Sequence, residues 1–162
     1  MKPQSFEERR EDAVARSGFM SMSRDPELAA IVIFTAAKYK ASLAGLSIIT
    51  GSRQVLIATV GTELTETTRE ASFCTTTIQR PGEALVVSDA RRDERFANLA
   101  TVTGEPFVRF YAGVPIVDRN GYPFHSLAVH QADKLAPSPT AAEVVSAAVG
   151  AEWRLSPRSC HR

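Results

Sequence analysis

The stretch from 107 to 131 constrains the fold more than any other. Residues 107–117 read Phe-Val-Arg-Phe-Tyr-Ala-Gly-Val-Pro-Ile-Val. Aromatic and branched side chains of this kind suit a pleated, half-buried strand. Asp118-Arg119-Asn120-Gly121 follows, and Asn-Gly accepts the positive φ angles of a tight reversal. Residues 122–131 then pair back as the next strand. A chain built around this hairpin makes antiparallel sheet. Pro115 has no N–H to give to a ladder, so it predicts an edge, a bulge or the strand's last turn.

The remaining segments can be placed around that hairpin. Asp25 is a good helix N-cap, Pro26 suits the first helical position, and Glu27 favours the positive end of the helix dipole. Leu28, Ile31, Val32, Thr35 and Tyr39 recur at helical spacing and predict a face packed on a core. Residues 46–49 and 55–60 read as two strands, with Gly51-Ser52 as the reversal between them. Residues 61–71 are polar and read as a loop. Ser72 caps a short helix that must end before Pro81-Gly82, with Cys74, Thr77 and Ile78 on one face. Three consecutive threonines are poor helix formers, so tertiary packing has to impose it. Residues 84–87 read as a strand, and 88–98 as a charged loop with one helical turn. Ser138-Pro139 opens a C-terminal helix with the stripe Ala142, Val145, Val149 and Trp153.

This order predicts an α+β layered domain with helices packed on an antiparallel sheet. The expected divisions are an N-terminal arm or helix over 1–24, the domain over 25–135, the helix over 136–155 and a basic flexible tail over 156–162. A chain of 162 residues suits one domain of ordinary size. At 44% hydrophobic and 23% charged it is globular, and a net charge of +1 gives no field for nucleic acid. Its two cysteines, Cys74 and Cys160, match no zinc spacing and no disulfide framework. The polar N-terminus lacks a signal-peptide core, and no apolar run approaches the ~20 residues of a membrane span. A cytoplasmic protein with no membrane partner is expected.

Four fragments in order resemble bacterial GAF sensor domains. These are Arg69-Glu-Ala-Ser-Phe-Cys-Thr-Thr-Thr-Ile78; Leu85-Val-Val-Ser-Asp-Ala90 with Asp93-Glu-Arg-Phe96; Val102-Thr-Gly-Glu-Pro106; and Arg109-Phe-Tyr-Ala-Gly-Val-Pro115. The resemblance covers about residues 25–135. It implies a six-stranded antiparallel sheet with helices on both faces and a ligand pocket under the short helix and the irregular loop. It also implies a sensory role for a small ligand of unknown identity, with a kinase or cyclase acting in trans as output and a homodimer as the expected assembly. One departure concerns the last strand, where the subgroup's Gly-Thr-Leu-Cys-Val is replaced by His125-Ser126-Leu127-Ala128-Val129. Losing that glycine alters how closely the backbone approaches its neighbours at the pocket edge.

The candidate ligand-binding residues are Phe73, Cys74, Thr77, Asp89, Arg95, Phe96, Phe107, Arg109 and Tyr111. Phe73, Thr77, Phe96, Phe107 and Tyr111 are expected to line a partly apolar cavity. Arg95 either holds an anionic ligand oriented by Asp89, or pairs with Asp89 to brace the loop while Asp89 caps the turn. Strand alternation puts Phe107, Arg109, Tyr111 and Gly113 on one face and Val108, Phe110, Ala112 and Val114 on the other. The first face looks onto either solvent or a pocket, where an arginine beside aromatics could sandwich a planar ligand. Cys74 is a redox switch, a chromophore anchor or a small buried apolar residue; Thr75 stands where chromophore-bearing relatives place a histidine. His125 and His130 alternate to opposite faces and cannot share a metal. No phosphate loop, nucleophile elbow or zinc-hydrolase helix is present, no metal ligands are assigned, and the cofactor is unknown.

Two other functions compete. A ligand-free scaffold would dimerise through terminal helices, using Ala13 and Val14 with Ala142, Val145 and Val149. A redox enzyme like the free methionine sulfoxide reductases shares the fold but needs a second pocket cysteine, and Cys160 lies in the tail.

Overall fold

A computed structural model describes residues 3–132. The C-terminal helix and tail expected from the sequence, with Cys160 and His161, lie outside the described residues. Six strands form one antiparallel sheet in the order β3-β2-β1-β6-β5-β4. They are β1 (Leu43–Ile49), β2 (Arg53–Val60), β3 (Glu66–Thr68), β4 (Leu85–Val87), β5 (Val108–Val117) and β6 (Pro123–Ala132). The β5–β6 hairpin lies inside this sheet, with Val114 opposite Leu127 and Ala112 opposite Val129.

On one face lie α1 (Phe6–Ser17) and α2 (Pro26–Tyr39). The N-terminal segment is a capped helix. Ser5 Oγ accepts from the Glu8 N–H while Glu8 Oε2 accepts from the Ser5 N–H, a reciprocal box that satisfies two otherwise orphaned donors. Gly18 ends it at φ 71°. In α2, Asp25 Oδ1 accepts from the N–H groups of Glu27 and Leu28. Leu28, Val32 and Ala36 enter a core with Leu46, Ile48, Phe110, Ala112, Val114, Leu127 and Val129. Val14 joins that core and Ala13 is buried as well. They therefore cannot form the dimer face that the scaffold reading gave them.

On the other face lie α3 (Phe73–Thr77), a 3-10 turn at Ala90–Arg92 and α4 (Ala100–Thr103). They cover a second core of Ile49, Phe73, Cys74, Ile78, Val87, Phe96, Val108 and Tyr111. The 88–98 loop thus carries its one helical turn. The 61–71 segment is not all loop, because Glu66–Thr68 pairs with Arg53–Val55 as an edge strand. Three polar residues carry no periodic signal, and only the neighbouring β2 makes them a strand.

β5 departs from simple alternation. Its register with β6 shifts between Val108 and Phe110, and this extra residue turns Val108 to the side of Tyr111, away from Phe110. Pro115 lies beyond the last β4 pairing, Leu85 with Gly113, where β5 has become a sheet edge. Its missing N–H costs no ladder bond there.

Candidate functional site

The sheet face under α3 is unusually polar for a buried surface. Ser72 Oγ caps α3 by accepting from the Cys74 N–H, and Thr75 Oγ1 donates to the Arg69 carbonyl 2.6 Å away. These two bonds hold a five-residue helix of poor intrinsic propensity over the sheet. Beneath it, Thr77 Oγ1 and the Tyr111 hydroxyl share a 2.6 Å hydrogen bond. Tyr111 donates to Cys74 Sγ at 3.4 Å, and Gln54 Nε2 donates to the same sulfur at 3.3 Å and to Ser47 Oγ at 2.9 Å. The buried Ser126 hydroxyl lies beside the Tyr111 phenol, outside ideal hydrogen-bond geometry but close enough to favour the phenolate. Burial, followed by the adjacent Cys74, holds the Tyr111 pKa well above its usual value of 10.0.

Aromatic rings close the site. Phe73 stacks on Phe96 at 4.6 Å and on Tyr111 at 4.8 Å between centroids. The His130 ring meets Tyr111 edge-on at 4.9 Å and Phe73 at 5.9 Å. His130 is half-buried as a residue, but desolvation of its ring lowers its pKa to about 4. It is therefore neutral at pH 7.

Of the five side chains expected to line a hollow, Phe73, Thr77, Phe96 and Tyr111 meet one another here. Phe107 stands aside, half-buried at φ 55°. Arg109 lies 5.7 Å over the Phe107 ring and donates to the Val102 carbonyl at 2.9 Å, tying β5 to α4. Asp89 caps the 3-10 turn by accepting from the Arg91 N–H, but its ion-pair partner is Arg91, at 2.8 Å. Arg95 pairs with Asp93, at 2.7 Å, and stands over Phe96. Each arginine bonds the aspartate two positions before it, so the loop holds two separate braces and the Asp89–Arg95 pair that one of the two readings expected does not form. His125's side chain lies outside what the structure describes. Among the described residues, no group of three His, Cys, Asp or Glu could hold a metal.

Sequence reasoning left Gln54, Ser47 and Ser126 out of the site and weighed His130 only as a metal ligand. The available signal was polar residues interrupting apolar strands, as Ser47 does between Leu46 and Ile48. Also missed was Gly113, which makes room for Tyr111. A Cβ there would stand 2.1 Å from the Tyr111 hydroxyl, and the ring is fully buried with nowhere to swing. Gly113→Ala should therefore cost about 1–3 kcal/mol of stability, measured by urea denaturation, as overpacked cores do.

The sheet order, the two helical layers and the short helix over a polar sheet face agree with a match to the family model described as GAF domain, over residues 19–151. The chain belongs to the GAF domain family. This GAF domain is 32% identical over 123 residues to a cyclic di-GMP phosphodiesterase of Pseudomonas aeruginosa, covering 76% of the chain but only 21% of that relative. Among solved structures it resembles the GAF domain of an Acinetobacter phosphoenolpyruvate-protein phosphotransferase, with TM-score 0.60, 18% identity and 94% and 92% of the two chains covered. It also resembles a type II free methionine-R-sulfoxide reductase from Thermoplasma acidophilum, with TM-score 0.59, 15% identity and 90% of each chain covered. At those identities the two structures establish shared fold alone. No helix among the described residues of this GAF domain is long and apolar enough to cross a membrane.

Proposed function

We propose that this GAF domain is a non-catalytic sensory module that takes a small, partly polar molecule between α3 and the sheet. The observation that carries this reading is the buried polar surface made by Thr77, Tyr111, Cys74, Gln54, Ser47 and Ser126. Burying that many polar groups costs stability unless they are satisfied, and a ligand hydroxyl, amide or carbonyl can take up their remaining donors and acceptors. The ring stack of Phe96, Phe73 and Tyr111 supplies the apolar wall. Because these rings already touch, a ligand enters by displacing Phe73 and α3 with it, and that movement is the signal. The braced Asp89 and Asp93 loop and Arg109 flank the entrance. The output is an associated signalling domain; the match to a cyclic di-GMP phosphodiesterase supports a partner acting in nucleotide second-messenger turnover.

Native mass spectrometry of the purified protein, followed by a thermal-shift panel of small metabolites, tests the reading. Added mass or a shift of several degrees is expected, and Tyr111→Phe should weaken the response at least tenfold, about 1.4 kcal/mol of lost hydrogen bonding. No added mass and no shift across the panel would overturn it. So would turnover of methionine sulfoxide by the wild type that is lost in Cys74→Ser.

A further inference from the structure

Arg69 serves two helices at once. Its backbone carbonyl accepts from Thr75 Oγ1 at 2.6 Å and from the Ser72 N–H at 3.3 Å, so it anchors the start of α3. Its guanidinium bonds the Glu7 carboxylate on α1 and the Thr50 carbonyl just past β1. Ser72, the cap of α3, follows Arg69 by three positions, and its N–H closes them into a turn. The start of α3 therefore lifts only if that turn opens or Arg69 moves with it. On the α1 side, Glu7 is shared. Arg10 takes both of its oxygens from a fully buried position and also donates to the Ile49 carbonyl. Arg69 reaches Oε1 alone, through Nη1, with its side chain 19% exposed. Two like charges thus lean on one carboxylate. The Arg69 arm has fewer bonds and more water, so it is the arm that lets go, and Arg10 keeps Glu7 when it does. Among the described residues, no other hydrogen bond or ion pair joins α1 to the segment 69–77.

We propose that the Arg69 arm is a releasable latch, which couples the seating of α3 on one face of the sheet to the docking of α1 on the other. With α3 seated, residue 69 holds its guanidinium on Glu7. When α3 is displaced, its anchor turn moves, the Arg69–Glu7 pair breaks, and the first turn of α1 loses one of its ties. The coupling is reciprocal, so loosening α1 unseats α3 by the same factor. A latch has to be weak enough to open, and a partly exposed ion pair meets that condition. The trigger rests on the function proposed above, in which a bound molecule displaces α3. The coupling itself needs no such molecule.

Hydrogen exchange of the full chain, read by mass spectrometry without added ligand, tests the latch. Thr75→Val keeps the branched shape of the side chain and removes the bond to the Arg69 carbonyl. It should speed exchange in α3 and in the first turns of α1, each by about two- to fivefold beyond any change in β5 and β6, whose amides report global opening. Arg69→Met cuts the guanidinium bonds and keeps the carbonyl. In that background the effect of Thr75→Val on α1 should vanish and its effect on α3 should remain. An α1 indifferent to Thr75→Val overturns the proposal. So does an α3 indifferent to it, since residue 69 is then no anchor. An α1 response undiminished in Arg69→Met also overturns it, because the two helices then communicate through the core. A molecule that binds under α3 without this coupling defeats the latch alone, and coupling in a chain that binds no molecule defeats the ligand reading alone.

Discussion

Phe73→Ala will unfold at a much lower denaturant concentration than the wild type, with a loss of about 3–5 kcal/mol. Phe73 is the middle ring of three, between Phe96 and Tyr111, and it also meets the edge of His130. Truncation removes nearly all of its buried apolar surface and two stacking contacts, each worth about 0.5–1.5 kcal/mol beyond area. It also removes the anchor of α3, whose threonine-rich sequence cannot hold a helix unaided. For a domain of this size the loss corresponds to a fall in Tm of about 10 °C or more. Urea titrations at pH 7 check it. A cost under about 1 kcal/mol would mean that the stack is a loose cover over the sheet and not part of the core, since even modest cavities exceed that figure.

Glu7→Ala will have the second largest effect, although Glu7 is a half-exposed residue on the first turn of α1. Arg10 is fully buried and donates to both carboxylate oxygens of Glu7, at 2.6 and 3.0 Å, and to the Ile49 carbonyl. Arg69, just before α3, also bonds Glu7 and the Thr50 carbonyl. One carboxylate thus joins α1, the end of β1 and the approach to α3. Removing it leaves a buried guanidinium without its counter-charge. Such a loss costs about 3–5 kcal/mol when both partners are buried, and solvent screening of the exposed Glu7 side brings the expectation to about 2 kcal/mol. Arg10→Met should cost less, because it removes the buried charge together with its desolvation.

The same group sets an acid dependence. Hydrogen bonding from Arg10 is the largest influence on Glu7, and its pKa falls from 4.5 to about 2. A depressed carboxylate pKa means that the unfolded chain binds the proton more tightly. Its stabilisation is therefore complete above pH 4.5 and is lost as pH falls towards 2. His130 acts at higher pH. Its folded pKa of about 4 lies below the ordinary 6.5, so stability begins to fall below pH 6.5 and this loss is complete near 4. Denaturation curves should show two successive acid losses, and Glu7→Gln should flatten only the lower one.

Much of the architecture was legible in the sequence because it rests on local rules. Asp25-Pro26-Glu27 marks a helix start through capping and a fixed φ, and Asn120-Gly121 marks a reversal through its tolerance of positive φ. The aromatic and branched residues of 107–117 mark a strand. None of these needs a distant partner. The candidate site was legible only in part. Phe73, Cys74, Thr77 and Tyr111 could be named because a capped short helix and a strong strand each expose a face. Their meeting across 34 or more positions of sequence could not be read from either segment.

Local chemistry in the sequence determined α2 and the β5–β6 hairpin, since each depends on residues within a few positions of one another. Only the tertiary structure decided which face Val108 takes, because a bulge in β5 against β6 overrides alternation. It alone made Glu66–Thr68 a strand and buried Arg10 against the Ile49 carbonyl thirty-nine positions away. In each case the outcome depends on groups brought together from separate elements, and a short window of residues carries no information about which partner arrives.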